Sequence, residues 1–138
     1  MSRYVLDTSA LFAFIENEEG AQEVETLLIQ TIEGRHELAI SMISEIEVYY
    51  ISLREQGEEI ASERLRLLND LPITQEVLDS DLIRVIGNLK AGYSLSFADC
   101  CIAGLAQDMG AVLVHKDPEF EAIEHLVTQY KLPYKAKA

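Results

Sequence analysis

The sequence predicts an α/β domain of three layers, α/β/α, in which helices cover both faces of a mainly parallel sheet of four to five short strands. Short apolar runs such as YVL and AVLVH alternate with longer segments of helical periodicity. These apolar runs lack the strict alternation of half-exposed antiparallel strands. At 138 residues the chain fits a single domain spanning residues 1–138, because single cores commonly span about 100–200 residues.

The first half of the chain contains two predicted strands, each followed by two helices. RYVLD is a β-branched and aromatic run typical of a buried strand. Gly34 and Gly57 stand just beyond helical segments, where glycine commonly ends a helix. The predicted elements are strands at 3–7 and 37–41 and helices at 8–15, 21–33, 44–56 and 58–69.

The second half contains two further strands and a terminal strand. Pro72 cannot donate a hydrogen bond to a neighbouring strand, so LPIT indicates a strand at the sheet edge. The segment AVLVH gives the clearest strand signal in the chain. The predicted elements are strands at 71–74 and 111–115, helices at 76–91 and 97–109, a last helix from Pro118, and a short final strand before the basic tail KLPYKAKA.

The charge of the chain limits the kind of partner that it can bind. The net charge is −13, from 24 acidic and 11 basic residues. A large nucleic-acid footprint is disfavoured, because phosphate contacts come from Lys and Arg. Any contact with RNA or DNA is therefore expected to be small or confined to a locally basic rim, for which the candidates are Arg54, Arg64, Arg66, Arg84 and Lys90.

The sequence indicates neither a membrane-spanning segment nor a disulfide bond. The apolar stretches are far shorter than the roughly 20 residues needed to cross a bilayer. The N-terminus has no pattern of a signal peptide. Cys100 and Cys101 are adjacent and lack a second pair to complete a zinc site, so both are expected as small buried side chains. We expect a cytoplasmic protein that makes no membrane contact.

Four acidic residues stand where a strand is predicted to end or a helix to begin: Asp7, Glu47, Asp99 and Asp117. Each has an ordinary explanation as a helix cap, for instance in the capping-box spacings Ser44–Glu47 and Ser96–Asp99. Jointly, however, these positions lie near the carboxyl ends of predicted parallel strands, where such sheets form a ligand crevice. Two charges about 4 Å apart repel by roughly 4 kcal/mol at an effective dielectric near 20. Convergence therefore predicts raised pKa values or a bound cation, and oxygen ligands suit Mg²⁺ or Mn²⁺.

The three histidines are weaker candidates. His36 lies in the predicted turn GRHE and is expected to be exposed. His115 ends a predicted strand two residues before Asp117, so we expect local hydrogen bonds, with a contact to substrate as the alternative. His125 is expected to face solvent from the last helix.

Four segments, VLDTSAL, ISMISEIEVYY, LSFADCCIAGLA and VLVHKDPEF, together resemble the PIN-domain ribonucleases, especially VapC-like toxins of prokaryotic toxin–antitoxin pairs. The resemblance spans essentially the whole chain in the family's order. It implies a PIN-like fold and a Mg²⁺ or Mn²⁺ site built from Asp7, Glu47, Asp99 and Asp117, with Ser9 or Thr8 orienting Asp7. Glu45 competes with Glu47, and the family spacing from Ser41 favours Glu47.

The resemblance also implies an activity and its partners. It implies a metal-dependent endoribonuclease that hydrolyses RNA phosphodiester bonds with an activated water, as the toxin of a type II toxin–antitoxin pair. A cognate antitoxin and a homodimer through the helices near residues 44–69 are implied as partners. The chain differs from the family pattern at His115, where threonine or serine is usual.

Two other functions stay open at this point. A catalytically weak or inactive PIN scaffold that acts as a protein-interaction module would explain the high acidity and His115. A phosphatase with an aspartate nucleophile is suggested only by LDTSA, and Ser9 stands where the second aspartate of that motif is expected.

Overall fold

The computed structural model describes residues 2–135 as a five-stranded sheet between two layers of helices. The strands are β1 (Ser2–Leu6), β2 (His36–Ser41), β3 (Thr74–Glu76), β4 (Val112–His115) and β5 (Gln129–Lys131). Their order is β3-β2-β1-β4-β5, and all four strand pairs are parallel. The predicted α/β fold with a parallel central sheet is confirmed.

In the described part of the chain, six α-helices connect the strands: α1 (Thr8–Ile15), α2 (Ala21–Ile32), α3 (Met42–Gln56), α4 (Glu58–Asp70), α5 (Ile83–Gly92) and α6 (Phe97–Met109). Two short 3₁₀ helices cover Ser80–Leu82 and Pro118–Ile123. Within residues 2–135, no helix is both long and apolar enough to span a membrane.

The sheet separates two hydrophobic cores, because successive side chains of a strand point to opposite faces. On one face, Val5 and Leu113 pack with the buried side chains of α5 and α6, including both cysteines. On the other, Leu6 and Ile40 pack with the buried side chains of α1 and α2, together with Val48 of α3 and Leu68 of α4. Both cysteines are buried free thiols, as expected.

The order of the strands places a crevice at the carboxyl end of β1. The chain runs from β1 to β2 and β3 on one side, and then returns to place β4 and β5 on the other. Such a reversal opens a crevice at the carboxyl ends of the two strands concerned, here β1 and β4. The amide of Asp7 donates to the carbonyl of Val114 at 2.9 Å, which holds these two strand ends together.

The edge strand and the helix after it begin later than the sequence predicted. The strand predicted at 71–74 instead spans Thr74–Glu76, although it does lie at an edge. Pro72 lies in a tight turn, in which the amide of Ile73 donates to the carbonyl of Leu71. The helix predicted at 76–91 begins only at Ile83, because residue 76 belongs to the strand and Asp79 caps the intervening 3₁₀ turn.

Two further local predictions need correction. His36 is buried rather than exposed, because it is the first residue of β2, where Nε2 lies 3.0 Å from the carbonyl of Leu27 and the ring packs edge-on against Tyr4. The last helix does begin at Pro118, but it is a 3₁₀ helix of six residues. Residues 136–138 of the basic tail lie outside the described part of the chain.

Alanine substitutions at two helix glycines, Gly104 in α6 and Gly87 in α5, can test how closely these two helices pack. A Cβ added at Gly104 would meet Ile86 Cγ1 at 2.7 Å, whereas one at Gly87 would meet no heavy atom within 4 Å. Gly104→Ala should lower the free energy of unfolding by about 1–3 kcal/mol through overpacking. Gly87→Ala should raise it by about 0.5–1 kcal/mol, because alanine is the better helix former. Urea unfolding of both variants measures the contrast, and equal effects would contradict this packing.

Candidate functional site

Asp7 lies at the centre of the crevice, directly after β1, where it caps the N-terminus of α1. It is only 3% exposed. Its Oδ2 accepts hydrogen bonds from the Ser9 amide at 3.0 Å and from Ser9 Oγ at 2.5 Å. Burial raises the pKa of Asp7 to about 6, the charge of Glu47 adds to this, and the Ser9 hydrogen bonds oppose it. Asp7 is therefore a buried carboxylate that its own helix cap only partly stabilises.

Glu47 reaches the crevice from α3 and is held by the hydroxyl next to Asp7. Thr8 Oγ1 donates to Glu47 Oε1 at 2.7 Å and lies 3.0 Å from Ser44 Oγ. Ser44 is fully buried and lies inside α3, so the capping-box explanation of Glu47 does not hold. Ser41 is the cap, since its Oγ accepts from the Ile43 amide at 3.1 Å.

Glu45 belongs to a different surface. It lines an apolar groove with Met42, Ile46 and Tyr49, two residues before Glu47 on the same helix. Side chains two positions apart on a helix point in widely different directions. The structure thus directs Glu47, rather than Glu45, towards Asp7.

The pKa of Asp99 depends on the charges of the other three predicted acids. It lies in the first turn of α6, where Ser96 Oγ accepts from the Asp99 amide at 3.1 Å. Burial raises the pKa of Asp99 to about 7, the charges of Asp7, Asp117 and Glu47 raise it further, and a hydrogen bond between the Ser96 hydroxyl and the Asp99 carboxyl group lowers it. The four predicted acids therefore lie close enough to disfavour simultaneous ionisation.

A fifth acid, Glu119, joins the cluster, and sequence reasoning missed it. Asp99, Asp117 and Glu119 each offer a carboxylate oxygen, and these oxygens lie within 4.8 Å of one another. Asp117 Oδ1 accepts from the Glu119 amide at 3.0 Å and caps the 3₁₀ turn that carries both residues. The signal available in the sequence was a second acid within one turn of Asp117.

His115 lies beneath this turn and does not enter the acid cluster. Its ring is fully buried, and its nitrogens bond to the Asp117 amide at 3.1 Å and to Gln129 Oε1 at 2.8 Å. Burial lowers the pKa of His115, which favours the neutral ring. His115 thus makes the expected local hydrogen bonds.

The cations beside the crevice are not those expected from the sequence. A groove of about 340 Å³ adjoins Ser9 and Asp117, and the cations that line it are Lys116 and Lys135. The Lys116 ammonium is buried and donates to the Glu19 carbonyl at 2.6 Å. Two of the candidate rim residues are already paired: Arg64 bonds to Ser52 and to Glu16, which lines the groove, and Lys90 bonds to the Leu95 carbonyl.

The donor set fits a small hard cation. Oxygens bound to one Mg²⁺ at about 2.1 Å lie about 3.0 Å apart when adjacent and about 4.2 Å apart when opposite. Three oxygens within 4.8 Å of one another could therefore converge on one ion through small side-chain rotations. Because the donors are carboxylates, with no thiolate in the cluster, they favour Mg²⁺ or Mn²⁺ over softer metals.

The fold and this crevice define a class: a three-layer α/β domain with a carboxylate cluster at the switch point of a parallel sheet. Within that class, the PIN domain family model matches residues 4–126. The chain belongs to the PIN domain family, as the sequence resemblance indicated.

Relatives and solved structures agree with this assignment. Ribonuclease VapC42 of Mycobacterium tuberculosis is 29% identical, over 84% of this chain and 92% of the relative. VapBC2 from Rickettsia felis, solved with a DNA fragment from its promoter, superposes with a TM-score of 0.76 at 20% identity, covering 94% of this chain and 98% of that one. VapBC-5 from M. tuberculosis, a member of the VapBC family of toxin–antitoxin systems, gives a TM-score of 0.64 at 18% identity, covering 96% and 99%.

The raised pKa values of Asp7 and Asp99 predict how stability depends on pH without metal. The pKa values of both carboxyl groups lie above the ordinary value of 3.8. At a pH between the ordinary and the raised values, the folded chain therefore binds more protons than the unfolded chain. The free energy of unfolding in EDTA should therefore decrease as pH rises from about 4 to 7. Asp99→Asn should flatten this decrease and be about 1–3 kcal/mol more stable than the parent chain at pH 8. The measurement is urea unfolding across this pH range.

Asp108→Asn is the matched control, because it removes the same charge from an exposed position near the end of α6. It should keep the parent pH dependence. The electrostatic account of the crevice is contradicted if the two variants behave alike.

Proposed function

We propose that this chain is a divalent-metal-dependent endoribonuclease and the toxin of a type II toxin–antitoxin pair. The observation that carries the proposal is the convergence of five carboxylates on one crevice, with the pKa of Asp99 raised to about 7 by burial and by three neighbouring charges. Ribonuclease VapC42, which is similar over most of the chain, supports RNA as the substrate. Action on cellular RNA would place the protein in the cytoplasm.

Asp7, Glu47, Asp99 and Asp117 are the residues that we propose as metal-binding and catalytic, and Glu119 is added to them from the structure. Asp99, Asp117 and Glu119 supply the tightest group of oxygens. Ser9 fixes the carboxylate of Asp7 through two hydrogen bonds, and Thr8 fixes that of Glu47 through one. These bonds set the orientation of the donors before any ion binds, which reduces the rearrangement needed for binding.

The chemistry that follows is hydrolysis of a phosphodiester. Mg²⁺ or Mn²⁺ held by these oxygens would supply the Lewis acidity that activates water and would offset the charge that develops on the phosphate. The chain's own part is to hold the donors and to exclude bulk water around Asp7, which is buried. Lys116 and Lys135 line the adjoining groove, but their ammonium groups lie 3.9 Å and 3.1 Å from Glu18 carboxylate oxygens, so they add little net positive charge for an RNA backbone.

The strong negative charge of the chain fits a short contact with RNA. With a net charge of −13, a long contact with the phosphate backbone is unfavourable, whereas a contact of a few nucleotides at the metal is compatible with this charge. An inactive scaffold is the weaker alternative, because nothing in a binding role requires buried carboxylates to converge at the cost of their mutual repulsion.

An antitoxin and a second copy of the chain are the proposed protein partners. VapBC-5, which has the same fold, belongs to a family of toxin–antitoxin systems, and this supports a cognate antitoxin. The homodimer expected near residues 44–69 is supported by apolar side chains of α3 that are more than one-third exposed: Met42, Ile46, Tyr50 and Leu53. An apolar stripe of this kind on a helix is typical of an interface.

Neutral variants of the acids test the proposed activity. Asp7→Asn and Asp99→Asn should each reduce Mg²⁺- or Mn²⁺-dependent RNA cleavage by about 100-fold or more, since each removes a carboxylate that would hold the metal ion. Glu47→Gln should also impair cleavage, whereas Glu45→Gln, two residues away on α3, should leave it unchanged. Cleavage of a fluorescent RNA by folded variants is the measurement. Full activity of both aspartate variants would remove this crevice from the mechanism.

Glu119 provides a separate test of the metal centre. Glu119→Gln should weaken Mn²⁺ binding by about tenfold, because it removes one of the three clustered oxygens. Glu25→Gln removes the same charge from the exposed surface of α2 and should leave the affinity unchanged. Isothermal titration calorimetry with Mn²⁺ measures both variants. Equal affinities would show that Glu119 contributes only overall charge.

A further inference from the structure

His115 is the one fully buried histidine among residues 2–135, and it lies between the last strand and the acid cluster. Its exposure is 0%. The ring packs against Phe120 at 4.9 Å between centroids and stacks on Tyr134 at 6.1 Å. A side chain confined in this way has a single orientation, so its two nitrogens occupy fixed places.

The hydrogen bonds of the ring assign its proton. The Asp117 amide is a donor only, so the Nδ1 atom that it contacts at 3.1 Å accepts and carries no proton. The proton of the neutral ring is then on Nε2, which donates to Gln129 Oε1 at 2.8 Å.

Gln129 cannot reverse these roles. Its Nε2 donates to the Phe120 carbonyl at 2.7 Å, and a carbonyl can only accept. The amide oxygen of Gln129 is therefore directed at His115, and this bond favours the same tautomer as the bond from the Asp117 amide. Three hydrogen bonds thus form a directed series from the Phe120 carbonyl through Gln129 and His115 to the Asp117 amide.

This series ends at the residue that shapes the acid cluster. The Asp117 amide is held by His115, while the Asp117 carboxylate caps the turn by accepting from the Glu119 amide. His115 therefore positions Asp117, and through it Glu119, relative to β4 and β5.

We propose that His115 is a positioning residue for the metal centre: its unprotonated Nδ1, held in that tautomer by Gln129, fixes the backbone of Asp117 so that Asp117 and Glu119 face Asp99. The inference rests on the proposed function, since the geometry that it protects is that of the metal site. His115 touches neither metal nor substrate in this role.

Two substitutions separate the nitrogens of the ring. In His115→Asn, the amide oxygen lies near the place of Nδ1 and can still accept from the Asp117 amide. In His115→Gln, the amide nitrogen lies near the place of Nε2 and can still donate to Gln129, but the acceptor for Asp117 is lost. The two variants remove comparable parts of the ring, so thermal unfolding should show similar losses of stability.

The readouts are the affinity for Mn²⁺ by calorimetry and the amide resonance of Asp117 in ¹H–¹⁵N spectra of the metal-free protein. His115→Asn should retain the hydrogen-bonded position of the Asp117 amide resonance and bind Mn²⁺ within about threefold of the parent chain. His115→Gln should lose that position and bind about tenfold more weakly, the usual effect of removing a group that orients a metal ligand. Equal behaviour of the two variants, whether both unimpaired or both impaired, overturns the proposal.

Gln129→Met is a second variant that avoids disturbing the buried ring, because Gln129 is only half-buried at the sheet edge. Imidazole ¹⁵N shifts should show a single Nε2–H tautomer in the parent chain. In Gln129→Met only the Asp117 amide still favours that tautomer, so a minor Nδ1–H population should appear. A single unchanged tautomer in the variant overturns the role of Gln129. If the parent chain binds no Mn²⁺, the proposed function fails, while the Asp117 amide and the imidazole shifts still decide the role of His115.

Discussion

Electrostatic crowding at the carboxyl ends of β1 and β4 is the constraint on which this domain depends. Burial and neighbouring charges raise the pKa of Asp7 to about 6 and that of Asp99 to about 7. The sheet makes the crowding unavoidable, because the chain places neighbours on both sides of β1 and so brings the ends of β1 and β4 together. The hydroxyl groups of Ser9 and Thr8 donate to the carboxylates of Asp7 and Glu47, and that of Ser96 lowers the pKa of Asp99, so together they offset part of the repulsion. The remainder is what a divalent cation is suited to neutralise.

Capping and clustering, which looked like competing explanations of the acids, operate together in the structure. Asp7 and Asp117 cap the turns that follow their strands, and Asp99 lies one turn inside a helix capped by Ser96. A cap fixes both the backbone and the side chain of a residue at a helix start. In a parallel α/β fold, the helices that follow β1 and β4 start at the same edge of the sheet. Local caps therefore give a preorganised cluster.

Prediction from the sequence succeeded where local chemistry decides and failed where tertiary contacts do. Glycine stops and apolar periodicity located α2, α4 and α6 to within about two residues. The delayed start of α5 was missed because the segment 74–76 finds a partner in β2, which is distant in sequence. His36 was misplaced for the same reason, since Leu27 and Tyr4 bury it. Glu119 was overlooked because its carboxylate becomes a candidate metal ligand only through its proximity to Asp99, which the fold brings close.

The sequence by itself determined the fold class, the family and the four acids around which the crevice forms, because these depend on periodicity, strand ends and an ordered set of motifs. Only the tertiary structure decided that Glu47 rather than Glu45 faces Asp7, that a fifth acid joins the cluster, and which tautomer His115 adopts. The physical reason is that direction, distance and proton position depend on groups such as Thr8 and Gln129, which lie 39 and 14 residues from their partners and meet them only in the folded chain.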